Sequence, residues 1–240
     1  MVLKKIMKRC LVIAGLLLFG LSANADFVQL DTDVNMNNFW EKSGKDTQKI
    51  LDVHSKILNT NKLNKRVSIV LYSAPKTINA EAHYMDKSIY VYTGILPYID
   101  NDDELAALIS HEIAHCIDYY DGPLKLFTME LNSKDYELKA DSIAIDMMVK
   151  AGYNPIAAIC IMNKLSGESV WDTWIFSSHP KGSTRMMNMY KYIYKKYPDA
   201  LNSDMVKNIN YQNFTYSSQK ELDEFKLKEK LRKNKRDESL

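Results

Sequence analysis

Strand-forming sequence is confined to one stretch of this chain. RVSIVLY (66–72), TINAEA (77–82) and SIYVYT (88–93) are short, rich in β-branched and aromatic residues, and broken by Pro75 and by Met85-Asp86-Lys87. Everything around them carries the helical period. Ahead lies Lys45–Leu58, where Ile50, Leu51, Val53, His54, Ile57 and Leu58 recur at helical spacing; His54 belongs to the surface or the core of that helix. Behind lies residues 98–120, started by Asn101 or Asp102 as cap, with Asp103 and Glu104 complementing the helix dipole and Gly122-Pro123 as its stop. Ser133 caps a further helix to Lys150 with Gly152 as its stop, Asn154 caps another that begins at Pro155, and residues 183–197 form a last amphipathic one. One block of strands flanked by helices predicts an α+β fold, mostly helical, with helices packed on one small sheet. At 240 residues and 46% hydrophobic content the chain supports one such core and shows no internal repeats.

The first 25 residues stand apart. Lys4, Lys5, Lys8 and Arg9 precede an apolar run from Cys10 to Leu21, and Ala23 and Ala25 are spaced for cleavage after Ala25, the pattern of a secretory signal. The run of 12 residues is too short for a helix to cross about 30 Å of hydrocarbon, and no cysteine sits at the cleavage point. The expectation is therefore an exported protein, periplasmic or secreted, with no anchor and no membrane span once the signal is removed. Removal takes four basic residues and leaves 28 basic against 30 acidic side chains, a formal charge of −2. A chain so balanced, with no nucleic-acid motif, gives no reason to expect nucleic acid as a partner. Cys116 and Cys160 remain, either paired or as two buried apolar thiols. Residues 219–240 mix both charge signs and read as a solvated helix or a disordered tail.

Chemistry concentrates in ALISHEIAHCIDYY (107–120). His111 and His115 lie four apart on a helix, so both imidazoles can reach one ion, while Glu112 stands beside it. Catalytic zinc takes three protein ligands and leaves one position for water, whose proton a neighbouring carboxylate accepts. Three fixed letters arise often by chance, so a third ligand decides the matter. SKDYELKADSIAIDMM (133–148) offers Glu137 to complete the ligand set and Asp141, one turn later, to take the second N–H of a ligating histidine. The apolar setting of Asp141 turns it inward, where a carboxylate needs a partner.

These segments, taken in order with NAEAHYMDKSIYVYTGIL, AGYNPIAA and SHPKGSTR, resemble the HtpX-like and CAAX-prenyl-endopeptidase-like zinc metallopeptidases, a gluzincin family, over about residues 66–190. The resemblance implies a zincin-like fold with one zinc per chain. It implies His111, His115 and Glu137 as ligands, Glu112 as base and Asp141 as the acid behind a ligand. With the signal pattern and the charged tail read above, the chain divides into a signal (1–25), a metallopeptidase domain (26–218) and a charged tail (219–240). Lys134 and Lys139 depart from the family's usual residues without touching a ligand, and the short segment between His115 and Glu137 suits a soluble, exported branch. His179, followed by Pro180, stands where the resemblance puts a histidine near the metal, either stabilising the oxyanion or occupying the open metal position. Arg185 would then pair with Asp141 or Glu137.

The function that follows is zinc-dependent endopeptidase action on protein or peptide substrates outside the cytoplasm, in envelope protein quality control. The alternative is a zinc-containing module that binds unfolded or partner proteins without cutting them, against which Glu112 argues, since mere binding needs no base. A structural zinc domain fits poorly, because such sites close all four positions and lean on cysteine. The strand holding Asn79 and Ala80 is expected at the sheet edge, where an extended substrate can pair with it. Two tryptophans in VWDTWIF (170–176) read as core plugs or cleft lining, and oligomeric state is open.

Overall fold

The computed structural model describes residues 36–63, 67–83, 86–119, 133–166 and 182–237. Helix α1 (Met36–Asn61) leads into strands β1 (Ser68–Tyr72), β2 (Ala80–His83) and β3 (Ser88–Tyr92), and a 3₁₀ turn (Thr93–Tyr98) opens the helical part. Helices α2 (Asp102–Tyr119), α3 (Ser133–Lys150), α4 (Ile156–Ser166) and α5 (Gly182–Lys196) follow. Two short 3₁₀ turns (Pro198–Asn202, Asp204–Lys207), α6 (Ile209–Ser217) and α7 (Gln219–Asp237) complete the described residues. The fold is α+β and zincin-like, mostly helical around one three-stranded sheet.

In that sheet β3 lies in the middle, parallel to β1 and antiparallel to β2, so β2 is an edge among the described residues. Register follows from side-chain alternation. Ile69, Leu71, Ile89 and Val91 point one way into the core, while Tyr72, Tyr90 and Tyr92 stand on the opposite, half-exposed face. The strands are shorter than the sequence suggests. Thr77 donates to the Ala74 carbonyl in a turn, so β2 starts at Ala80, and Thr93 already belongs to the 3₁₀ turn. Gly94 in that turn lies so close to the 74–77 segment that a Cβ would fall 2.3 Å from the Thr77 carbonyl oxygen. Glycine is required there by space and not by φ.

Helix α2 is buried nearly all round, through Leu105, Ala106, Ile109, Ile113, Ala114 and Cys116. It starts where the sequence places it, with Asn101 Oδ1 accepting the Glu104 N–H at 2.9 Å. Helix α3 ends in a Schellman motif: Gly152 sits at φ 78°, its N–H donates to Val149 and the Tyr153 N–H to Met148. Asn154 then caps α4 through the Ile156 N–H at 3.0 Å, while its own N–H donates to Asp103 Oδ1 at 2.9 Å and fixes the turn onto the start of α2. A half-buried ion pair ties the other end of α4 to α2, Lys164 Nζ lying 2.7 Å from the buried Glu104 Oε2. His54 is fully buried, a core histidine of α1. Cys116 and Cys160 are both buried and free, which settles their pairing in favour of two separate thiols, and burial pushes each up to about 12. The C-terminal segment is helical from Gln219 to Asp237. Leu222 and Phe225 of α7 are buried, Phe225 standing edge-on to Tyr190 and Tyr194 of α5. None of the described helices is long and apolar enough to cross a membrane. The region of the expected secretory signal lies outside the described residues.

Candidate metal centre

Helices α2 and α3 pack side by side and present their polar residues to one point. The rings of His111 and His115, one turn apart on α2, stand at right angles with their centroids 4.6 Å apart and their Nε2 atoms 3.1 Å apart. Glu137, from the first turns of α3, faces both: Oε2 lies 3.3 Å from His111 Nε2 and Oε1 lies 3.3 Å from His115 Nε2. One donor atom from each of the three residues lies within 4.8 Å of the others. His115, Glu137 and Glu112 are buried, and His111 is nearly so.

Asp141, one turn after Glu137, has Oδ1 3.1 Å from His111 Nδ1. That contact fixes the ring so that Nε2 is the atom turned to the cluster, the arrangement that makes an imidazole a good metal ligand. Arg185 reaches in from α5. Its Nη2 and Nε donate to Asp141 Oδ1 and Oδ2 at 2.6 and 2.9 Å, and its Nη1 lies 3.1 Å from Glu137 Oε2. Both carboxylates named for it by the sequence are therefore its partners, and the two contacts bind α5 to α3.

The charges explain what the centre is suited to hold. Glu112, Glu137 and Asp141 can carry three negative charges, and Arg185 supplies one permanent positive charge. A buried net charge of about −2 is costly in a low-dielectric interior, and it is relieved either by protons or by a divalent cation. The metal-free electrostatics already lean that way. Burial, helped by Glu137 and Glu81, pushes Glu112 up to about 7 against the opposing pull of His111 and Arg185. For His111, burial and Arg185 disfavour the charged ring, yet Asp141 and Glu137 outweigh them and raise it to about 10. Asp141 is held below the usual carboxylate range: burial works against this, but Arg185 and His111 prevail. Two nitrogens and one carboxylate, converging and buried with unbalanced negative charge, fit a divalent ion such as zinc that keeps an open position.

A pocket opens beside the cluster. His111, Glu112, Asp141 and Arg185 form its polar side, and Ala80 of the edge strand β2 lies in its wall. The apolar wall includes Ile161, Met162 and Leu165 of α4, a helix to which the sequence assigns no role at the site. Those residues have the ordinary composition of a buried helix, so no signal in the chain separates wall from core. His179 and the segment around Trp171 and Trp174 lie outside the described residues.

Residues 45–119 and 116–193 match the model of peptidase family M48. A relative with partial similarity is the mitochondrial metalloendopeptidase OMA1 of Arabidopsis thaliana, 27% identical over 40% of this chain and 26% of its own length. The chain thus spans about a quarter of that relative. The two matched segments cover more than half of the sequence and include the His111–Glu112–His115 helix, Glu137, Asp141 and Arg185, and the chain therefore belongs to peptidase family M48, a family of metal-dependent peptidases.

Proposed function

We propose that the protein is a zinc-dependent endopeptidase of the HtpX-like, exported branch, cutting protein substrates in the periplasm or outside the cell as part of envelope protein quality control. One observation carries the reading: His111, His115 and Glu137 converge with Glu112 beside them, in a cluster whose negative charge one divalent cation would neutralise. His111, His115 and Glu137 would hold the zinc, which when bound supplies Lewis-acid activation of a water and of the scissile carbonyl.

The chain's own groups do the rest. Glu112 accepts the proton of the attacking water and passes it to the leaving amine, a role suited to a buried carboxyl standing beside the ligand set. Asp141 keeps His111 in the tautomer that presents Nε2, and Arg185 keeps Asp141 ionised and in place. The substrate lies extended along β2 and pairs with its backbone, which among the described residues has a strand on one side alone. Main-chain pairing of this kind orients a peptide bond toward Glu112 without demanding a particular side chain.

Purified protein, a casein or peptide-library assay and a zinc determination test the roles separately. Glu112→Gln should keep about one zinc per chain and lose hydrolysis, whereas Glu137→Ala should lose the zinc itself. Equal loss of zinc in both variants would overturn the assignment. Zinc binding without hydrolysis by the parent protein would favour a module that binds proteins without cutting them.

A further inference from the structure

Charge in α7 is segregated along its length. Residues 226–236 hold seven basic side chains against Glu229 alone, a net charge of +6, whereas the whole chain carries +2 and its other residues therefore sum to −4. The first turns of the helix belong to the body, through Leu222, Phe225 and a half-buried Glu229 facing Lys195 at 3.7 Å. From Lys230 to Asp237 every residue is exposed. Those eight residues extend about 12 Å at 1.5 Å per residue, more than the roughly 8 Å over which physiological salt screens a charge. The basic end therefore acts on its surroundings largely free of the acidic body.

Two leucines share that helix with the basic residues. At about 100° per residue, Leu227 and Leu231 lie close to 180° from the buried Leu222–Phe225 face, with Lys228 and Lys235 on one flank and Lys230 on the other. Leu227 is 58% exposed and Leu231 is 52% exposed. A single exposed leucine is unremarkable, but a pair one turn apart, framed by lysines and turned away from the core, takes no part in the buried core. Apolar side chains between cationic ones match the boundary of an anionic phospholipid layer, where lysine stems run alongside the acyl region and their ammonium groups meet phosphate. A nucleic acid would satisfy the lysines and leave the leucines in water.

We propose that the end of α7, Lys226 to Arg236, docks on an anionic phospholipid surface, inserting Leu227 and Leu231 between lysine–phosphate contacts, and so holds the enzyme at a membrane that no described helix spans. The test is flotation of the full chain with vesicles of phosphatidylcholine alone or mixed with phosphatidylglycerol. Binding is expected to the anionic vesicles only and to weaken as salt rises. Lys228→Gln, Lys230→Gln and Lys235→Gln should each weaken it about fivefold, and together about a hundredfold, at about 1 kcal/mol per basic residue. Leu227→Ser with Leu231→Ser should weaken it at least about tenfold, with the circular dichroism of the chain unchanged. Equal partition onto neutral and anionic vesicles, or none onto either, overturns the proposal. So does a leucine variant that binds vesicles as the parent does while both retain a DNA duplex, which marks a generic polyanion site. A parent dimer that the leucine variant dissociates, with no vesicle binding, assigns the face to a second copy of the chain and equally overturns it.

Discussion

Arg185 holds the position where a single substitution should separate electrostatics from packing. It is 3% exposed, its guanidinium grips both oxygens of Asp141, and its third nitrogen reaches Glu137. Arg185→Met keeps much of the apolar stem and removes the charge, leaving Asp141 and Glu137 buried beside Glu112 with no permanent cation. Removing one partner of a buried pair typically costs about 3–5 kcal/mol, because the other partner stays desolvated and unpaired. For a chain of this size each kcal/mol moves Tm by about 2–4 °C, so metal-stripped protein should melt roughly 6–20 °C lower. Urea unfolding of the metal-stripped protein at pH 7 measures the loss directly, and Asp141→Asn supplies the second arm of a double-mutant cycle. In the Asp141→Asn background the arginine faces an amide, and Arg185→Met should then cost at least about 1.5 kcal/mol less. Arg185→Lys should fall between, since one ammonium cannot span two carboxylates as the planar fork does. An Arg185→Met protein within about 1 kcal/mol of the parent would refute the reasoning. So would an equal cost in both backgrounds, which would reduce Arg185 to a packing residue.

Asp141→Ala should weaken zinc binding by about 10- to 100-fold without abolishing it, measured by competition with a chromophoric chelator, because it frees the His111 ring but removes no ligand. Asp146 of α3 accepts from Tyr192, Tyr197 and Lys196, and these contacts outweigh its partial burial and hold its carboxyl below the usual range. Its contribution is therefore present above the unfolded carboxylate value of about 3.9 and fades as pH falls through the lower folded value. With side-chain exposures of 38% for Asp146 and 48% for Lys196, solvent screening keeps that contribution below about 1 kcal/mol. Urea midpoints should show Asp146→Asn less stable than the parent at pH 7, with the gap closing below about pH 4; a gap that widens in acid would contradict the sign. Gly94→Ala should destabilise by about 1–3 kcal/mol, because the added methyl meets the Thr77 backbone and not a movable side chain. Thermal melting checks this, and an unchanged Tm would show that the 74–77 turn yields freely.

Much of the architecture is local and therefore legible. Asn101, Gly152 and Asn154 act on neighbours two to five residues away, so the start of α2, the stop of α3 and the start of α4 are written in the chain and appear where that chemistry puts them. The four-residue spacing of His111 and His115, and of Glu137 and Asp141, likewise determines which side chains share a helix face. What the sequence could not determine is where one face meets another. Both pairs being amphipathic does not dictate that α2 and α3 bring His111 and Glu137 to 3.3 Å, nor that Arg185, 44 residues beyond Asp141, closes on both carboxylates. Sequence also left the end of the chain as a solvated helix or a disordered tail. The burial of Leu222, and of Phe225 against Tyr190, decided for the helix, since its anchoring depends on an aromatic surface that α5 offers only after folding. The free state of Cys116 and Cys160 was open for the same reason, because each thiol is surrounded by core that no local pattern describes. Periodicity selects the elements and the side chains they share; the burial of charge and apolar area between elements selects which of those side chains become one site.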